Sequence, residues 1–66
     1  MIRRFQYVEP SLHDNRTPVT ITVSEQYLRL TYWKHWSKQW RSKFNTEPCF
    51  ETFIDDFLVV HWATEL

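Results

Sequence analysis

YLRLTYWKHWSKQWRSKF, residues Tyr27 to Phe44, sets Tyr27, Tyr32, Trp33, Trp36, Trp40 and Phe44 among Arg29, Lys34, Lys38, Arg41 and Lys43, with no acidic residue in the stretch. At about 100° per residue, Leu30, Trp33, Trp36, Trp40 and Phe44 fall within about 120° of arc, the width of a core-facing helical stripe. Small Ser37 lies among them. Lys34, Lys38 and Arg41 stand at i, i+4 and i+7 and form one row beside the indoles, while Tyr32, His35 and Gln39 fall on the far side. Ser24 can act as an N-cap, its hydroxyl accepting an orphan amide, and Glu25 suits the positive end of the helix dipole. The spacing predicts one continuous helix from Glu25 to about Phe44.

Upstream, the pattern changes period. Ile2 to Glu9 is rich in β-formers and partly alternates, which predicts a first strand. Pro10 to Thr17 is a loop whose tightest turn is expected at Asp14-Asn15, because Asn tolerates the left-handed backbone conformation where this chain offers no glycine. From Pro18 to Val23 the alternation is clean: Val19, Ile21 and Val23 point one way, Thr20 and Thr22 the other. A leading proline is tolerated at the start or edge of a strand.

Downstream, Asn45 or Thr46 is read as the cap of a short second helix with Pro48 in its first turn, where a missing amide does no harm. Phe50, Phe53, Ile54 and Phe57 follow the i, i+3, i+4, i+7 template, with Glu51, Asp55 and Asp56 outward. Leu58 to Thr64 then reads as period two. Leu58, Val60 and Trp62 share one face and Val59, His61 and Ala63 the other, which predicts a central strand. The fold class is therefore α+β in ββααβ order: a three-stranded, largely antiparallel sheet with one long and one short helix packed on one face. A right-handed crossover places the last strand beside the first.

The 66 residues allow a single domain, residues 1–66, and a chain of this size buries only about 60% of the surface its unfolded form exposes. Its one cysteine, Cys49, permits no internal disulfide, and the spacings of Cys49, His13, His35 and His61 do not assemble a zinc-finger cluster. Four tryptophans, three tyrosines and five phenylalanines are the remaining source of apolar area, and a second subunit would add more. The composition thus fits a homodimer. The start carries no apolar signal segment, and the longest apolar run, Phe57 to Val60, is far shorter than a membrane span needs. A cytoplasmic location without membrane association is expected, in keeping with a lone thiol.

Formal charge is zero but unevenly placed: Arg29 to Lys43 is wholly basic in its charged residues, and Phe44 to Leu66 wholly acidic. Phosphate-binding domains are usually net basic, so this balance weighs against nucleic acid. The absence of glycine excludes P-loop and dinucleotide phosphate cradles.

The chemistry-bearing groups read blandly. Asp55 and Asp56 diverge by about 100° on a helix and do not serve one ion. Cys49 and His61 offer a thiol and a base, yet no orienting third group or oxyanion motif accompanies them. His13-Asp14 is a common turn pair, and His35 reads as solvated. No enzyme activity, metal or cofactor is expected. The expected function is that of an accessory protein acting by macromolecular binding, with protein or a second copy as partner, through Tyr32, Trp33, Lys34, Trp36, Lys38, Trp40 and Arg41 or through the open sheet face. Tryptophan, tyrosine and arginine are favoured anchors of such interfaces. The alternative is nucleic-acid binding on the same Trp/Lys/Arg face, bases stacking on indoles.

Overall fold

Two β-forming stretches flanking a loop pair as their alternation predicts, in a computed structural model that describes residues 2–66. Strand β1 (Arg4–Pro10) runs antiparallel to β2 (Pro18–Ser24), with Phe5 opposite Val23 and Tyr7 opposite Ile21. At the hairpin tip Asp14 closes the turn: its Oδ1 accepts the amides of Arg16 and Thr17, each at 3.0 Å, and its Oδ2 the Thr17 hydroxyl. Asn15 takes the left-handed conformation expected of it, at φ 57°.

Ser24 ends β2 and caps the long helix, its Oγ accepting the Tyr27 amide at 3.1 Å. The helix covers 20 residues in three segments: α1 (Glu25–Leu28), a π turn (Arg29–Trp33) and α2 (Lys34–Phe44). The π turn alters which residues face inward. A wide turn inserts one extra residue, so the fully buried Leu28 is followed on the same face by Trp33 at i+5 rather than by Tyr32 at i+4. Leu30, placed in the core stripe by regular periodicity, is instead 78% exposed. The rest of the stripe keeps its direction: Trp33 and Trp36 pack on the core, and Ser37 is buried.

Asn45 proves to be the left-handed C-cap of α2, at φ 56° with its amide on the Arg41 carbonyl, and not the start of the next helix. Cys49 occupies the N-cap position of α3 (Phe50–Val60), and Pro48 precedes it. On α3, Phe53, Ile54 and Phe57 are buried, as their template predicts.

The chain then departs from expectation. Leu58 to Val60 continue α3 instead of opening a strand, and the helix closes in a Schellman motif: Ala63 donates to the Leu58 carbonyl at 2.9 Å and Trp62 to that of Val59 at 3.3 Å. Only Thr64–Glu65 form strand β3, which pairs antiparallel with Phe5 and Gln6. The sheet order is β2-β1-β3, so the last strand lies beside the first as expected, but the centre is β1 and not the C-terminal strand. The reason is packing: as a helical residue, Leu58 packs against the core through the same face as Ile54.

The core is Phe5, Tyr7, Leu28, Phe53, Ile54 and Phe57, drawn from β1 and both helices on one sheet face. Arg3 clamps this assembly from outside, ion-pairing with Glu51 on α3 and, at 2.8 Å, with Glu65 on β3. The molecule is extended, 41 × 28 × 18 Å. It exposes 5455 Å², whereas a folded chain of this mass exposes roughly 4,500 Å². Much of the excess lies on the hairpin, where every residue from Val8 to Thr20 except Ser11 is exposed.

Candidate interaction groove

Indoles on a helix need partners for their wide faces, and here they find them in one another. Trp33 stacks on Trp36 and Trp36 on Trp40, with ring centroids 5.9 and 5.1 Å apart and planes within 23°. Phe44 extends the row beyond Trp40 at 4.3 Å. Phe50 and Phe53 of α3 meet Trp33, and Phe53 also meets Trp36. Arg29, released toward α3 by the π turn, lies 3.6 Å over the Phe50 ring, a cation–π contact that seals this end.

A groove opens between the long helix and α3. Trp36, Phe53 and Phe57 form its floor; Tyr32, His35 and Gln39 form one wall, and Asp56, Val60 and His61 the other. This part encloses about 170 Å³. Trp36, Gln39 and Asp56 also border a second hollow bounded by Trp40, Lys43 and Phe44, so the two adjoin along the helix. Asp56 is oriented within it by the Trp36 indole, whose Nε1 donates to Oδ2 at 3.0 Å. The Trp40 Nε1 is buried and has no acceptor among the described residues. Burial raises the Tyr32 phenol above its ordinary pKa.

The seven residues read from sequence as partner-binding occupy three different settings. Tyr32 and Trp36 line the groove and Trp40 borders its far end, whereas Trp33 is turned inward against the phenylalanines. Lys34 is exposed, Lys38 borders a shallow hollow with Ser42 and Lys43, and Arg41 pairs with Glu47 at 3.5 Å. On the helical wheel, Lys34, Lys38 and Arg41 lie on one flank of the indole row, and the groove runs along the other. The flank that lines it carries His35, Gln39 and Lys43. Those three follow an i, i+4, i+8 row that the sequence displays, but nothing local distinguishes the flank that α3 leaves open.

Trp62 was also hidden from sequence. It holds the left-handed position of the α3 cap, at φ 52°, and is 92% exposed. It directly follows Val60 and His61 of the groove wall, and Val59 and Val60 are exposed beside it.

The remaining candidates separate. Cys49 and His61 flank opposite ends of α3, an axial separation of about 18 Å at 1.5 Å per residue. The hydrogen bond between Cys49 Sγ and Thr52 Oγ1, 3.2 Å, draws the thiol below its ordinary pKa. Among the described residues no group of three or more His, Cys, Asp or Glu is arranged to hold a metal ion, and no helix is long and apolar enough to cross a membrane. The free sheet face carries Arg4, Gln6, Val8, Thr20, Thr22 and Thr64 and is mainly polar. No protein-family model matches the chain, and no curated protein or solved structure is significantly similar to it.

Proposed function

We propose that this protein is a non-catalytic accessory factor that captures a protein segment in the groove between its long helix and α3. The observation that carries this reading is Trp62. A bulky side chain in the left-handed region is strained by about 1–2 kcal/mol, and an indole 92% exposed contributes little to the core. It follows directly on His61 of the groove wall, which suits it to close over a bound chain, and large aromatic side chains are the usual energetic anchors of interfaces. The aromatic floor and exposed Val59 and Val60 favour an apolar ridge on the partner. Lys43, beside the second hollow, suits an acidic group on the partner.

Protein fits this site better than nucleic acid. Base stacking needs open ring faces, and Trp33, Trp36 and Trp40 are engaged with each other, the first two also with Phe53 of α3 and the last with Phe44. Lys34 and Arg41 line no part of the groove, Lys38 reaches only the neighbouring hollow, and net charge is zero. A reducing, cytoplasmic setting suits the exposed Cys49.

The test is capture from native cell extract with and without nuclease, identified by mass spectrometry, using wild-type protein and Trp62→Gly. Protein partners that survive nuclease and are lost with Trp62→Gly are expected. Capture that nuclease abolishes, or that Trp62→Gly leaves unchanged, refutes the groove reading.

A further inference from the structure

Strand β2 carries a self-complementary edge. Val19-Thr20-Ile21-Thr22-Val23 reads the same in both directions about Ile21. Backbone direction follows from the pairing. The Arg3 carbonyl accepts the Glu25 amide and the Arg4 carbonyl that of Leu66, so odd residues of β1 face β2 and even ones face β3. In the observed register, Val19, Ile21 and Val23 therefore spend their amides and carbonyls on β1, while those of Thr20 and Thr22 point outward from the sheet.

That outer edge lacks the usual protection. From Pro18 to Ser24 there is no charged residue, and Thr20 and Thr22 are exposed; only Pro18, at one end, blunts it. Its inward side chains Val19, Ile21 and Val23 are themselves incompletely covered. The molecule also exposes about 900 Å² more than a folded chain of its mass requires, and β2 belongs to the hairpin that carries part of that excess.

From these observations we infer that β2 pairs with β2 of a second copy, antiparallel, across a two-fold axis at Ile21. Like then meets like: Thr20 exchanges both backbone hydrogen bonds with Thr22 of the other copy, Val19 lies opposite Val23, and Ile21 meets itself at a non-hydrogen-bonded position. The product is a continuous six-stranded sheet, β3-β1-β2-β2-β1-β3, with the helices of both copies on one face. The pairing is isologous and consumes both β2 edges, leaving two-residue β3 strands outside, so assembly stops at two. This surface is separate from the groove and does not depend on the function proposed for it.

Sedimentation equilibrium of the full chain is the test. Wild-type protein is expected at twice the 8.2 kDa chain mass. Thr22→Pro removes an amide that the isolated chain leaves facing solvent, which a strand edge tolerates, and is expected to sediment as a folded monomer with an unchanged circular dichroism spectrum. As a check independent of that variant's folding, Ile21→Cys in a Cys49→Ser background is expected to form a disulfide-linked dimer under mild oxidation. Residues meeting at a non-hydrogen-bonded pair have Cα atoms about 4.5 Å apart, within disulfide reach. Trp62→Gly should leave the dimer intact, which separates this surface from the groove. A wild-type monomer throughout the micromolar range overturns the inference, as does a dimer in which Ile21→Cys fails to crosslink, which would assign self-association to another surface.

Discussion

Trp62 puts a large, solvent-exposed indole on a left-handed backbone, a conformation that sterically favours glycine or asparagine. The chain has no glycine, so among the described residues the left-handed positions fall to Asn15, Asn45 and Trp62. Asparagine accepts that conformation readily; tryptophan does not. Trp62→Gly is therefore expected to stabilise the fold by about 0.5–1 kcal/mol even as it weakens capture at the groove. Thermal denaturation beside a binding assay checks the pair of effects. A loss of stability would mean that the indole packs on the fold, and its exposure would need another explanation.

At the scale of the element, the π turn decides what the long helix buries. It brings Leu28 and Trp33 onto one face and turns Leu30 out. Leu28→Ala should then cost about 2–5 kcal/mol, as for other buried leucines. Leu30→Ala should stay within about 0.5 kcal/mol of wild type, as for exposed positions. Urea unfolding of the two variants measures the difference, and equal losses would restore a regular α-helical phase. Helix α3 ends by similarly local means, its Schellman hydrogen bonds from Trp62 and Ala63 closing it at Val60, where the apolar run also ends.

Across the whole molecule, Arg3 binds the three parts that close the sheet: it extends from the start of β1 to Glu51 on α3 and Glu65 on β3. Its hydrogen bond holds the Glu65 carboxyl below the ordinary carboxylate range. A carboxylate depressed in the folded state stabilises the fold above its unfolded pKa, about 4.3 for glutamate, and that contribution vanishes as pH falls through the folded value. The melting temperature of Arg3→Gln should accordingly lie below wild type at neutral pH, with the gap narrowing as the solution is acidified below that range. Asp14, lowered chiefly by the Thr17 amide, titrates in the same direction but sits in the hairpin tip and is present in both proteins. A gap unchanged in acid would assign the role of Arg3 to its cation–π contact with Phe5, 5.5 Å away.

Local periodicity was enough to read the β1–β2 hairpin, the left-handed turn at Asn15, the Ser24 cap and the Phe53, Ile54, Phe57 face of α3, because each depends on residues within one or two turns of each other. Leu58 to Thr64 was misread for a related reason: an apolar run with β-branched residues satisfies both a strand and a helix, and its choice rests on Leu58 packing into a core built by distant β1. The indoles could be placed on one side of the helix from spacing alone. Which flank of that row becomes a groove, and so whether Lys34 or Lys43 faces it, depends on where α3 lies, and α3 is positioned by Phe53, Ile54 and Phe57 against Phe5, Tyr7 and Leu28. Periodicity records a side chain's direction from its own helix axis; the neighbour that fills or leaves that direction empty is set by long-range packing.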